Sequence, residues 1–227
     1  TEVSEATLLA AVPQRASHAD VIVCRSAGGW QQLPERAVIG TGSLRRRAQL
    51  WHAREDVQMA DIRGNVETRL RKLHDGEFDA IVLAEAGLTR LGLADEITEV
   101  LSTELVLPAV GQGALGIETR ADDQVTRDLV AVLDDADTHH AVIAERAMLA
   151  KLRGGCMAPV GGWACIDEAT GDVVLTAVVL SPDRRRRVAA NHSGDTAQAA
   201  SVGMAAAEEL LSAGAAELIA ASRDAAS

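Results

Sequence analysis

Between residues 19 and 107 short apolar runs alternate with segments whose apolar positions recur every three or four residues. The runs at 19–24 (ADVIVC), 37–41 (AVIGT) and 78–84 (FDAIVLA) are rich in aliphatic residues and bounded by polar residues or glycine, which predicts buried strands. Between them, 43–53 (SLRRRAQLWHA) and 65–74 (NVETRLRKLH) have helical periodicity, with Ser43 and Asn65 in N-cap positions. A third helix is expected at 87–93. Strands alternating with helices of this length imply a mostly parallel sheet with helices on its faces.

The rhythm changes after residue 107. Residues 108–118 (PAVGQGALGIE) read as a crossover between domains. Gly111, Gly113 and Gly116 match GxGxxG, but Pro108 sits in the approach and no strand leads into it, so a dinucleotide site lacks its βαβ context. Residues 121–134 and 138–152 are helical in pattern, and 159–167, 172–181 and 185–192 are strand-like and joined by short turns. An alanine-rich helix at 195–213, closed by Gly214, and a short final helix follow. That order predicts a separate α+β module with helices on one face of a three-stranded antiparallel sheet. The expected fold class is α/β: a parallel-type, three-layer cleft domain followed by a small α+β domain.

The 227 residues suffice for one large domain or two to three small ones. No run approaches the roughly 18 apolar residues of a membrane helix, and with no basic-then-apolar leader no secretion signal is expected. Cys24, Cys156 and Cys165 make an odd count without a CxxC pair. This argues against a disulfide framework or a cysteine zinc site and for a reducing compartment, the cytoplasm. The histidines (18, 52, 74, 139, 140 and 192) have no metal-ligand spacing.

Charge changes the picture most. With 22 basic and 33 acidic side chains the net charge is −11, which disfavours nucleic acid and anionic membranes as partners. Yet Arg45, Arg46, Arg47, Arg54, Arg63, Arg69, Arg71, Lys72 and Arg90 fall in one stretch. Such concentration in an acidic chain points to a compact anionic ligand, the alternative being a solvated helix face. Position favours the ligand. Ser43-Leu44-Arg45-Arg46 follows Gly40-Thr41-Gly42 directly after a predicted strand, at the edge where open α/β sheets bind ligands. Helix starts there offer unpaired N–H groups and the positive end of the dipole. Arg63-Gly64-Asn65 repeats the device, with Arg69 one turn further in. Arginine meets a carboxylate through paired, charge-assisted hydrogen bonds, so a small polycarboxylate is the expected ligand. Arg47, Arg54, Arg71 and Lys72 are expected to face solvent.

Cys156 lies in a glycine-flanked loop (153–159, RGGCMAP), where a free backbone and Arg153 would favour a thiolate; an inert thiol is the alternative. Cys24 and Cys165, each in a predicted strand, are expected to be inert. Asp61 and Glu85 are either acids or partners of nearby arginines.

Taken together, GTGSLRR (40–46), RGNVETRL (63–70), GEFDAIVLAEAGLTRLGL (76–93), LPAVGQGALGIE (107–118) and LRGGCMAPVGGWA (152–164) resemble the porphobilinogen deaminase, or hydroxymethylbilane synthase, family in order and spacing. The resemblance implies three domains around a cleft, similar in architecture to type II periplasmic binding proteins. It divides the chain into a remnant of domain 1 (1–18 and 109–131), domain 2 (19–108) and domain 3 (132–227). It further implies a dipyrromethane cofactor attached by a thioether to Cys156. Thr41, Ser43, Arg45, Arg46, Arg63 and Arg69 would bind the cofactor, and Arg90 and Gln112 the incoming substrate or growing chain. The implied reaction is a transfer in porphyrin and heme biosynthesis. Porphobilinogen loses ammonia to give an azafulvene, which the terminal pyrrole attacks. After four additions water releases the linear tetrapyrrole. Porphobilinogen and the growing pyrrole chain are the expected partners, and a monomer is expected.

Two departures accompany the resemblance. Gly42 stands where the family usually has serine. The family's His-Ser-x-Lys-Asp-x-Pro motif, whose aspartate is the main catalytic acid, does not occur in this sequence. By alignment of the blocks the chain begins just beyond it, so the chain alone is expected to lack that acid, and to fold or load cofactor poorly. Three readings stand at this point: a deaminase without its amino-terminal part, a truncated paralogue that binds tetrapyrrole precursors without turnover, and a general carboxylate-binding module.

Overall fold

The computed structural model describes residues 6–26, 28–153, 158–183 and 185–224, whose strands form three sheets. After β1 (Thr7–Ala11) come the members of a five-stranded sheet: β2 (Asp20–Cys24), β3 (Val38–Gly40), β4 (Gln58–Ala60), β5 (Ala80–Ala84) and β6 (Glu99–Val100). Their order is 4-3-5-2-6. β3 runs parallel to β4 and β5, whereas β2 runs antiparallel to β5 and β6. The sheet is therefore mixed, not mostly parallel. Val21, Ile22 and Val23 are buried, as their apolar run implies. Such a run reports burial on both faces and says nothing of strand direction.

α1 (Leu44–Ala53) leaves β3, α2 (Val66–His74) leaves β4, and α3 (Glu85–Arg90) leaves β5. The third helix thus starts earlier than its periodicity predicts. The two expected caps are formed: Ser43 Oγ accepts from the Arg46 N–H at 3.4 Å and Asn65 Oδ1 from the Thr68 N–H at 2.9 Å. Alternate residues of the sheet feed two cores. Ile22, Ile39 and Val82 join Trp30, Leu50 and Leu101, while Val21 and Ile81 join Ile62, Leu73 and Leu88.

β7 (Ile117–Arg120) returns to pair antiparallel with β1. Neither strand was expected, nor were the short β4 and β6. Gly111 and Gly113 sit in turns at φ 73° and 81°, and a Cβ on Gly113 would lie 2.4 Å from the Ser17 carbonyl oxygen. Turn geometry and close packing thus account for these glycines. α4 (Gln124–Val130) ends in a 3-10 turn (Ala131–Leu133), and Val125, Leu129, Val132 and Leu133 line an exposed apolar face there.

The rest of the chain is α5 (Ala136–Lys151), β8 (Val160–Ile166), β9 (Val173–Leu180), β10 (Arg187–Gly194), α6 (Ala199–Ser212) and α7 (Ala215–Asp224). The antiparallel order is 10-9-8, as expected. Met148 of α5 and Ala206 and Leu210 of α6 share a core with Leu175 and Val179 of the sheet. Ala48 of α1 joins Leu107, Val178 and Leu180 in a smaller cluster, which docks this module against the five-stranded sheet's α1 layer.

Candidate functional site

The parallel strands β3, β4 and β5 all end at one edge of the central sheet, so α1, α2 and α3 begin there side by side. The first two loops touch: the Thr41 N–H donates to the Ala60 carbonyl at 2.9 Å, and a Cβ on Gly42 would lie 3.1 Å from the Ile62 carbonyl oxygen. Because β2 is antiparallel, its first residue also lies at this edge, with Asp20 in register with Ala84.

Asp20 was absent from the expected site, and it organises the centre of it. Its side chain is fully buried. Oδ2 accepts from Arg45 Nη1 at 2.6 Å; Oδ1 accepts from Arg46 Nε at 2.9 Å and lies 2.7 Å from Arg46 Nη2. Burial pushes the Asp20 carboxyl up, but the Arg46 and Arg45 charges, with the hydrogen bonds both donate, outweigh it and hold the group below the usual carboxylate range. Arg45 and Arg46 are therefore buried and paired within the protein. Arg45 Nη1 also donates to the Leu107 carbonyl at 2.6 Å, and Arg46 Nη1 to that of Val82 at 3.2 Å. Gln112 is likewise engaged. Nε2 donates to the His18 carbonyl at 2.7 Å and to Asp20 Oδ1 at 2.9 Å, while Oε1 accepts from Arg45 Nη2 at 3.2 Å. Both amide hydrogens are thereby used.

Arg69 differs. Half-buried on α2, it donates from Nε to the Gly64 carbonyl at 2.8 Å, and among the described residues no carboxylate pairs with it. Burial, and then the charge of Arg46, pull its pKa down. Arg63 is exposed at the start of α2 and Arg90 at the end of α3. Thr41 is buried, and its Oγ1 accepts from the Ser43 N–H at 3.2 Å. Cys156 lies outside the described residues.

Other expectations resolve simply. Asp61 pairs with Arg47, Glu85 accepts from Ser17 Oγ, and Arg54 pairs with Asp56. Arg71 is exposed. Cys24 and Cys165 are free, and burial raises both thiols. Among the described residues no cluster of three metal-ligating side chains occurs, and no helix is long and apolar enough to cross a membrane.

A family model described as porphobilinogen deaminase, dipyromethane cofactor binding domain, matches residues 1–128, and the C-terminal domain of the same family matches residues 139–212. The chain is 46% identical over 211 residues to a porphobilinogen deaminase of Syntrophobacter fumaroxidans, covering 93% of this chain and 68% of that protein. A second, from Geobacter metallireducens, is 46% identical over 221 residues, covering 97% and 68%. The chain belongs to the porphobilinogen deaminase family.

The porphobilinogen deaminase of Shouchella clausii is 51% identical over 184 residues, covering 81% of this chain and 59% of its own. Among solved structures, a lipoprotein of the YaeC family from Enterococcus faecalis aligns at 14% identity and a TM-score of 0.40, covering 57% of this chain and 63% of that one. Within the deaminase frame, the arginine-bearing helix starts and the cofactor-binding domain match coincide in sequence, since residues 40–70 lie wholly inside the matched segment 1–128. The residue that sequence reasoning missed, Asp20, carries only one weak signal: a lone acid at the head of an otherwise apolar strand.

Proposed function

We propose that this chain forms the cofactor- and chain-binding part of a hydroxymethylbilane synthase, which joins four porphobilinogen units head to tail with loss of ammonia and releases the linear tetrapyrrole by hydrolysis. The single observation that carries the reading is that α1 and α2, which bear Arg46 and Arg69, begin side by side at the shared edge of β3 and β4. Dipyrromethane bears two acetates and two propionates, and a donor set of N-capped helix starts with arginines fits carboxylates of that kind. Arg69, Arg63 and the outward side of Arg46 would hold them, with Ser43 and Thr41 shaping the turn. Arg90 would meet the incoming unit, and Cys156 would tether the cofactor. When bound, that group supplies the free pyrrole α-carbon at which the first unit is added. Residues 1–18 with 109–131, then 19–108, then 132–227 would act as three units, in a soluble cytoplasmic monomer.

The aspartate motif implied by the resemblance is not among these residues, so binding and turnover are tested separately. Porphobilinogen is incubated with the chain alone, and again with a polypeptide carrying the His-Ser-x-Lys-Asp-x-Pro motif, and linear tetrapyrrole is measured. Binding alone in the first case and product in the second, lost in Cys156→Ala, supports the reading. Absence of both binding and product overturns it.

A further inference from the structure

We propose that Asp20 is a positioning residue, which fixes the guanidinium groups of Arg45 and Arg46 and, through Gln112, ties them to the crossover segment. This rests on the reading of the edge as a pyrrole-carboxylate site and adds to it a residue that touches no ligand.

Asp20 is too fully engaged to serve as an acid or a ligand contact. Its two oxygens receive hydrogen bonds from Arg45 Nη1, Arg46 Nε and Gln112 Nε2, and its side chain is fully buried. What it controls is geometry. A guanidinium is a rigid plane, so three attachments settle its orientation. Arg46 is held at Nε and Nη2 by Asp20 and at Nη1 by the Val82 carbonyl. Arg45 is held at Nη1 by Asp20 and the Leu107 carbonyl, and at Nη2 by Gln112.

Charge is the second consequence. One carboxylate shared by two guanidiniums leaves the cluster with an excess positive charge beside Arg69. Asp20 thus sets both where the cations point and how much charge they present. Gln112 completes the arrangement as a second positioning group, since its amide joins Asp20 to Arg45 and to the His18 carbonyl.

Two variants of the full chain test this. Asp20→Asn removes the charge, while Asp20→Glu keeps it and displaces the carboxylate by one methylene. Porphobilinogen binding is measured by calorimetry across a range of salt concentrations, alongside thermal melting. Asp20→Glu is expected to stay folded yet bind about tenfold more weakly, the equivalent of roughly one charge-assisted hydrogen bond. Asp20→Asn is expected to bind with a steeper salt dependence than wild type, because it leaves both guanidiniums uncompensated beside an anionic ligand. A purely structural role would move the melting temperature and leave the affinity of the folded protein and its salt dependence unchanged. Wild-type affinity in folded Asp20→Glu overturns the proposal, and that variant decides if Asp20→Asn does not fold. Failure of the wild-type chain to bind porphobilinogen overturns instead the reading of the edge on which the proposal rests.

Discussion

Glu145 on α5 and Arg15, in the segment that follows β1, form a buried pair. Arg15 Nη1 and Nη2 donate to the two Glu145 oxygens at 2.6 and 3.1 Å, and the Glu145 side chain is fully buried. The same carboxylate accepts from the Gly111 N–H at 2.6 Å and the Ala164 N–H at 2.9 Å. One side chain therefore joins the post-β1 segment, the crossover, α5 and β8. Glu145→Ala leaves a buried guanidinium and two backbone donors without their partner. The expected loss is about 3–5 kcal/mol of unfolding free energy, read from denaturant melts. A loss below about 1 kcal/mol would show that water replaces the carboxylate freely.

His18 stacks on Trp163 with ring centroids 4.5 Å apart and planes 17° from parallel, bringing the post-β1 segment against β8. Burial, then the charge of Arg15, lower the His18 pKa from 6.5, while Glu85 and Asp20 pull the other way. The unfolded chain therefore binds the imidazole proton more readily than the folded one. This contribution to stability is complete above about pH 6.5 and is lost as pH falls from there through the lower folded value. Unfolding free energy measured from pH 7.5 down to 5 should fall with a slope that His18→Gln removes. A slope identical in the variant would assign the effect to other groups.

Gly203 of α6 lies against α5 so closely that a Cβ there would sit 2.1 Å from the Ala144 carbonyl oxygen and 3.0 Å from the Ala147 Cβ. Gly203→Ala must separate the helices, at a cost of about 1–3 kcal/mol despite alanine's better helix propensity. Thermal melting checks this. Unchanged or raised stability would mean that the two helices slide apart without penalty.

Much of this arrangement is legible in the chain, and the rest is hidden for definite reasons. Ser43 and Asn65 announce their helix starts because capping is local chemistry, decided within four residues. The arginine cluster announces the edge because charge is conserved through folding. Strand direction is not local. The apolar run 21–23 fits a parallel or antiparallel neighbour equally well, and the antiparallel choice is what carries Asp20 to the same edge as Ser43 and Asn65. With Asp20 unseen, nothing in the sequence shows that Arg45, Arg46 and Gln112 share one carboxylate. Strands such as Gln58–Ala60 and Glu99–Val100 are too short to show a period.

The central claim is that the edge formed by α1 and α2 binds pyrrole carboxylates, and calorimetric titration of porphobilinogen into three proteins tests it most directly. Arg69→Ala should weaken binding by about 1.5–3 kcal/mol, the worth of a charge-assisted hydrogen bond. Arg71→Ala, an exposed cation on the same helix, should stay within about 0.5 kcal/mol of wild type. Equal losses in the two variants, or no binding by the wild-type chain, would contradict the account.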